Sequence, residues 1–450
     1  MPYVQSIIDD LKKTSPAQPE FYQAATEVLQ TLRPLLAKDP KYQKGKILER
    51  ITEPERQIMF RVTWLDDNGE IQVNKGYRIQ FNSAIGPYKG GLRFHRSVYA
   101  GIIKFLGFEQ TFKNSLTGLA LGGAKGGSNF NPKGKSDNEI MKFCQAFMTA
   151  LFRNLGPTVD VPAGDIGVGG REVGYLYGQY KRLTSTHNGV LTGKGIGWGG
   201  SLARTEATGY GLTYFAQNMM ERRKDSLEGK ICTVSGAGNV AIYTVEKLLQ
   251  IGAKPVSVSD SNGTIHHATG IDIQALKQVK EEERASLTRY KELCPDAKFI
   301  PISEYPEGRN VVWSIPCHAA FPCATQNELN AEDAKELVKN GCVCVTEGAN
   351  MPSTLEAVDV FLAAKTAFGP AKAANAGGVA TSQLEMAQNA SMQQWSFEKV
   401  DRKLHGIMKH IFDISSDAAK EFGDPHNLVM GANIAGFRKV ADAMLQLGAY

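Results

Sequence analysis

Phe21, Val28, Leu32 and Leu35 recur at helical spacing, which predicts an amphipathic helix over residues 17–38. The period then changes. Ile58, Phe60, Val62 and Trp64 alternate with polar residues, and Asp66-Asp67-Asn68-Gly69 offers a turn. Ile71, Val73, Tyr77, Ile79 and Phe81 resume the alternation, so a half-buried hairpin or meander is expected. Helical periodicity returns at 97–115 and 136–155. The first part of the chain therefore reads as mixed α and β. Glycines crowd the stretch Thr192 to Gly200 and loosen the backbone, so a domain boundary is expected there. Beyond it strand and helix alternate. Ile231–Ser235 is a short apolar run, Val240–Leu249 is helical, Gly252 is a stop, and Val256–Ser259 is the next strand. Val311–Ile315 and Val343–Val345 read as further buried strands. This rhythm predicts βαβ units on a parallel sheet. A long helix over 397–422 ends at Gly423-Asp424-Pro425, and a last one spans 432–446. The expected fold class is α/β with two domains: residues 1–200 mixed α/β, with the C-terminal helix of 424–450 packing back on them, and residues 201–423 Rossmann-like and dinucleotide-binding.

Composition narrows the class without changing this picture. With 450 residues, 42% hydrophobic and 22% charged, the chain can bury a large core and is neither fibrous nor disordered. The net charge of +5 is too weak to argue for a nucleic-acid partner. Seven cysteines at scattered positions read as reduced thiols of a cytoplasmic protein, and no metal site is expected. Asp9, Asp10, Lys12 and Lys13 leave no apolar core for a signal peptide, and no apolar run is long enough to span a membrane. The 46 glycines cluster, and the clusters are where the candidate chemistry sits.

Gly236-Ala237-Gly238-Asn239-Val240-Ala241 follows a predicted strand and opens a predicted helix. The first glycine permits the tight turn, the second lets a pyrophosphate approach the backbone, and the small third residue lets helix pack on strand. Asp260 closes the next strand about twenty residues further on, where a ribose-binding acid belongs. The competing reading is a glycine-rich turn of an unrelated α/β domain.

Lysines form the second signal. Lys89-Gly90-Gly91, Lys113 and Lys125-Gly126-Gly127 lie among short side chains, and Gln110 shares a helix face with Lys113. Several lysines facing one cleft suit a substrate with more than one carboxylate. They depress one another's pKa, and a lysine so tuned can serve as a base or activate water. Taken singly, each is an ordinary surface charge. Asp165, in Asp160-Val161-Pro162-Ala163-Gly164-Asp165, can shuttle protons beside a lysine or merely cap a turn. In Asn375-Ala376-Gly377-Gly378-Val379-Ala380-Thr381-Ser382 a glycine pair and a hydroxyl could touch a ligand, and the plainer reading is a helix N-cap by Thr381 or Ser382.

Together these residues closely resemble the hexameric glutamate dehydrogenases, in particular their short NADP-linked type, from about residue 17 onward. The resemblance rests on Gly86 to Phe94, Lys104 to Lys113, Gly122 to Ser128, Asp160 to Gly167, Glu206 to Gly211, Pro322 to Asn327 and Glu347 to Pro352. It implies that the first domain binds substrate and carries the oligomer contacts. It also implies that Lys89, Ser382 and Val379 receive the side-chain carboxylate of glutamate, and that Gln110, Lys113 and the Gly164 backbone receive the α-carboxylate end. Lys125 is then the catalytic lysine and Asp165 the proton shuttle. Thr208, Asn239 and Val240 hold the cofactor, and Thr325, Asn350 and Asn375 lie on the nicotinamide side. The implied reaction converts L-glutamate to 2-oxoglutarate and ammonium, in a homo-oligomer of six chains whose cleft closes over a dry site. Ala120-Leu121, Arg96, Thr205 and Cys317-His318 depart from the family pattern, the last pair at a strand position where an aspartate is usual. The stretch after Val379 leaves no room for the long helical insertion of the animal enzymes.

For the cofactor two arguments pull apart. Asp260 alone says NAD. Ser261 offers a hydroxyl donor, and Lys277, Lys280 and Arg284, one helical turn apart, can share a face and offset the acid. NADP is therefore expected. The other readings are a dehydrogenase of another amino acid, an NAD-linked glutamate dehydrogenase, an inactive nucleotide-binding regulator and an RNA-binding protein. Lys89 with Ser382 speaks against the first, Lys125 with Asp165 against an inactive chain, and the lack of a basic–aromatic patch against RNA.

Overall fold

The computed structural model describes residues 2–14 and 17–449. The chain divides into two compact units, Met1–Arg204 with Val379–Val400 and Asn433–Tyr450, and Thr205–Gly378 with Asp401–Ala432. The division thus falls beyond the glycine-rich stretch, and residues 379–400 join the first unit rather than the second.

In the first unit the alternating segments become β1 (Arg56–Leu65) and β2 (Ile71–Asn82), joined in antiparallel register. Three shorter strands, β3 (Tyr88–Phe94), β4 (Gly123–Ser128) and β5 (Asp160–Gly164), complete a sheet of order β1-β2-β4-β3-β5. β3 runs parallel to both β4 and β5, which sets Lys89 beside Val161 and Leu92 beside both Gly126 and Gly164. Glycine makes this packing possible: a Cβ on Gly90 would lie 1.6 Å from the Ala124 carbonyl oxygen. One face of the sheet packs on helices Asp137–Leu151 and Gly170–Thr184 through Trp64, Phe94, Phe130, Phe143 and Phe147, with Phe130 stacked on Phe143. Helix Ala100–Leu116 lies against β4, where a Cβ on Gly123 would strike Thr111. The helix expected over 17–38 is two, Pro19–Thr31 and Arg33–Lys38. Pro34 cannot donate within a continuous helix but fits the first turn of a new one. Residues 15 and 16, beside the start of that expected helix, lie outside the described residues.

In the second unit β6 (Ile231–Val234), β7 (Lys254–Pro255), β11 (Ala319–Phe321), β12 (Cys344–Thr346) and β13 (Ala367–Gly369) form a parallel sheet of order β13-β12-β11-β6-β7. β8 (Ser257–Asp260), β9 (Gly263–His266) and β10 (Lys298–Pro301) form a separate antiparallel sheet. Val311–Ile315 is not a strand. Residues Val311–Ser314 make a 3₁₀ turn, because the Asn310 side chain accepts the Val312 N–H and Trp313 buries its ring while donating to the Glu328 carbonyl. β11 takes the place in the sheet, and Cys317-His318 stands just before it rather than within it. The last helices run Phe397–Glu421 and Leu428–Gln446. Among the described residues no helix is long and apolar enough to cross a membrane.

Candidate active site

Lys89 lies on β3 and is fully buried. Its Nζ donates to Thr192 Oγ1 at 2.8 Å, so the glycine-rich stretch supplies a site wall. Burial, and then the Arg78 guanidinium, push the Lys89 pKa well below the usual lysine range. Arg78 is itself buried and forks onto Asp160, with Nε 2.9 Å from Oδ2, and donates from Nη1 to the Gly90 carbonyl at 2.9 Å. The pair links the start of β5 to β3 at the residue after Lys89.

Lys125, on β4, meets Asp165 just past β5, with Nζ 3.1 Å from Oδ1. The other oxygen of Asp165 accepts from Arg93 Nε at 2.7 Å. Burial lowers the Lys125 pKa, with Asp165 opposing. For Asp165, burial favours the neutral acid, but Lys125 and Arg93 outweigh it and hold the carboxyl at about 2. Lys113, one turn after Gln110 on helix Ala100–Leu116, is lowered to about 8 by burial and by Lys125. The expectation that the three lysines depress one another thus holds for Lys113, whereas at Lys89 the neighbouring cation is Arg78. Gln110 Nε2 donates to Asn114 Oδ1 at 2.7 Å. Gly164 ends β5.

Helix Gly377–Ser391 carries the remaining residues expected in this unit. Val379 packs against a small cluster of Leu121, Val161 and Met386. Ser382 is no N-cap, because the helix begins at Gly377. Its hydroxyl instead accepts from Arg204 Nε at 3.1 Å. One turn on, the buried Glu385 pairs with Lys194 Nζ at 2.8 Å and accepts the Gly193 N–H at 2.9 Å. Helix and Thr192 loop are thereby joined.

In the second unit Gly236 takes φ +81° in the turn after β6, a conformation glycine favours, and Gly238 precedes helix Asn239–Gln250. No side chain caps this helix start, and a Cβ on Gly238 would meet nothing within 4 Å. The N–H groups of Asn239 and Val240 lie in the first turn of this uncapped helix, at its positive end and next to the space beside Gly238, which fits a pyrophosphate. Thr208 lies in the first turn of helix Ala207–Arg222, which Gly209 brings against the Val240 carbonyl. Thr325 gives its N–H to Glu328, and Asn375 Nδ2 donates to Asn350 Oδ1 at 3.1 Å and to the Gly348 and Ala349 carbonyls.

The three cations expected on one face do not share it. Lys277 pairs with Glu246, and Lys280 alone reaches Asp260, with Nζ 3.2 Å from Oδ2. The helix gives way to a π turn over Gln278–Glu282, and Arg284 follows at φ +53°, so the periodicity that would align it is lost. Asp260 also accepts the Leu287 and Asn262 N–H groups, which leaves its carboxylate fully engaged, and Ser261 is exposed beside it.

Residues 199–448 match the family model of glutamate/leucine/phenylalanine/valine dehydrogenases, and residues 54–182 match the model of the dimerisation domain of the same proteins. The chain belongs to this dehydrogenase family. It is 63% identical over 446 residues to the NADP-specific glutamate dehydrogenase of Helicobacter pylori, covering 99% of this chain and all of that one. It is 54% identical over 449 residues to the NAD(P)-specific glutamate dehydrogenase of Xylanibacter ruminicola, covering 99% of each. The crystal structure of Plasmodium falciparum glutamate dehydrogenase superposes with a TM-score of 0.96 at 51% identity, covering 99% of this chain and 95% of that one. The two-domain α/β dehydrogenase fold expected from the sequence is therefore established.

Several residues of this family member escaped the sequence reading. Arg93, Asp160 and Thr192 stand inside the glycine-rich motifs, whose pattern gives them no role of their own. Arg78, Asn114 and Glu385 carried no local signal, since a charge or amide within a regular strand or helix looks like any surface residue, and Arg204 stands in a turn, where an arginine is equally ordinary.

Proposed function

We propose that the chain catalyses the reversible oxidative deamination of L-glutamate to 2-oxoglutarate and ammonia with NADP(H), working toward ammonium assimilation. Among the substrates of this family Lys89 favours glutamate, and it carries the proposal. It is a buried amine held by a hydroxyl, with no carboxylate at ion-pair distance among the described residues. A side-chain carboxylate supplies the missing partner and restores the proton that burial disfavours. An alkyl side chain would leave that group unpaired.

Ser382 and Val379 complete the side-chain pocket, and Gln110, Lys113 and the Gly164 backbone receive the α-carboxylate end. NADP⁺ supplies the hydride acceptor for the α-hydrogen. Lys125, whose pKa burial lowers, takes a proton from the water that attacks the iminoglutarate carbon. Asp165 exchanges protons with the nitrogen as the tetrahedral adduct collapses to 2-oxoglutarate and ammonia. Gly236, Gly238, Asn239, Val240 and Thr208 hold the cofactor phosphates, and Thr325, Asn350 and Asn375 border the nicotinamide. The charge of Asp260 is balanced by Lys280 and two N–H groups, and Ser261 stands free beside it, which supports a 2′-phosphate. The first unit forms the substrate-binding and oligomerisation domain of a cytoplasmic homohexamer. One face of the β1–β2 ribbon exposes Met59 at 63%, Ile71 at 70% and Val73 at 62%, an apolar surface suited to a second copy.

The test is oxidation of NADPH and of NADH in the presence of 2-oxoglutarate and ammonium. Steady turnover with NADPH, faster than with NADH, is the expected result. No turnover with either removes the proposal.

A further inference from the structure

Asn114 is fully buried on helix Ala100–Leu116, one turn after Gln110, and both hydrogens of its side-chain amide are committed. Nδ2 donates to the Lys89 carbonyl at 3.0 Å and to the Gly122 carbonyl at 2.6 Å. Backbone carbonyls only accept, so the nitrogen and oxygen ends of this amide cannot be exchanged. Oδ1 is thereby an acceptor, and it takes a hydrogen from Gln110 Nε2 at 2.7 Å. The polarity passes on. Gln110 must keep its NH₂ end toward Asn114, with one N–H spent there and one left over. An exchanged Gln110 would place its oxygen against the Asn114 oxygen, two acceptors with no proton between them.

We infer that Asn114 is a positioning residue that sets the amide polarity of Gln110, so that an N–H and not the carbonyl oxygen is offered to the α-carboxylate of the substrate. The inference rests on the proposed reading of Gln110 as a ligand of that carboxylate. The same side chain ties together the strand that bears Lys89 and the glycine loop that leads into the Lys125 strand. One buried amide thus aligns three elements of the substrate site. A carboxylate facing an amide oxygen would be repelled, whereas a charge-assisted N–H bond is among the stronger hydrogen bonds.

The experiment is a double-mutant cycle on the full-length enzyme with Gln110→Met and Asn114→Ala, read by competitive inhibition with glutarate, which has both carboxylates, and with 4-aminobutyrate, which keeps the side-chain carboxylate and the nitrogen of glutamate and lacks the α-carboxylate. NADPH binding and a cooperative melt confirm that each variant is folded, and Asn114→Ser serves if Asn114→Ala is not. The expected result is a rise in the glutarate inhibition constant of roughly ten- to a hundredfold for either single variant, no further rise in the double, and little change for 4-aminobutyrate. Strictly additive effects, or an unchanged glutarate constant in the Asn114 variants, overturn the inference. So does an equal loss for glutarate and 4-aminobutyrate, because that reports a loosened Lys89 strand. If Gln110→Met itself leaves glutarate binding unchanged, the reading of Gln110 has failed, and that outcome is separate from a failure confined to Asn114.

Discussion

In the first unit the ionisable groups around the site are mostly cations: the buried Arg78, Lys89 and Lys125 and the half-buried Lys113 and Arg204. In the second, the buried groups next to the dinucleotide turn are acids. Glu328, under the Ala324–Thr325 backbone, and Glu347 are each pushed up to about 7 by burial. On the proposed function the two regions recognise anions by different means. The substrate unit concentrates positive charge and steadies it with internal counter-ions, Asp160 for Arg78, Asp165 for Lys125 and Arg93, and Glu385 for Lys194. The nucleotide unit uses N–H groups at a helix start and keeps its nearby carboxyls partly neutral, so little negative charge opposes a pyrophosphate. Fixed charge discriminates between substrates of similar shape and can move protons. Backbone dipoles bind a group common to every turnover.

The strongest way to break this comparison is Asp165→Asn. The amide keeps the size but cannot exchange a proton, and turnover should fall by roughly 10²–10⁴-fold while NADPH affinity, which belongs to the other unit, stays the same. Turnover within a few-fold of the parent would make Asp165 a turn residue only. Lys89→Leu comes next. It should cost about ten- to a hundredfold in kcat/KM for glutamate and improve norleucine relative to glutamate, and an unchanged ratio between the two substrates would move the side-chain specificity elsewhere.

The pH dependence sharpens the same point. Lys113, with its pKa near 8, is charged below that value and loses its proton above it. KM for 2-oxoglutarate should therefore climb as pH rises past about 8, by up to about tenfold per unit, and Lys113→Arg should flatten the climb. A KM independent of pH in the parent enzyme would argue that substrate does not need that charge.

In the nucleotide unit the effects are smaller. Lys280→Glu should lower kcat/KM for NADPH by about tenfold and for NADH much less, since it leaves Asp260 uncompensated and adds a second negative charge. Equal losses with both cofactors would show a merely structural pair. Smallest is Glu328→Gln. A buried acid with a raised pKa contributes stability below the usual carboxylate range, and that contribution is lost as pH rises through about 7. The variant keeps an oxygen for the Ala324 and Thr325 N–H groups and removes the titration. Its melting temperature at pH 8 should exceed that of the parent by a few degrees, and the gain should vanish at pH 5. A lower melting temperature at both values would mean that the charge is stabilising.

What the sequence determined by itself was much of what has a local cause. The β1–β2 hairpin follows from period-2 alternation around Asp66–Gly69, and the strand, Gly236-Ala237-Gly238 turn and helix follow from composition within one short window. The lysine–glycine motifs could be found for the same reason, because glycines mark where β3 and β4 come too close for any side chain. Tertiary structure decided the rest. Val311–Ile315 has the apolarity of a strand, but the Asn310 cap and the burial of Trp313 made it a 3₁₀ turn. Lys277, Lys280 and Arg284 were aligned only on an ideal helix, which a π turn ended. Arg78 finds Asp160 at a separation of 82 residues, Lys89 finds Thr192 at 103, and Glu385 reaches the Gly193 N–H at 192. A hydrogen bond acts over about three ångströms of space, whatever the distance along the chain. Side chains that lend one another charge or polarity therefore become a site only when the fold brings their strands and helices together.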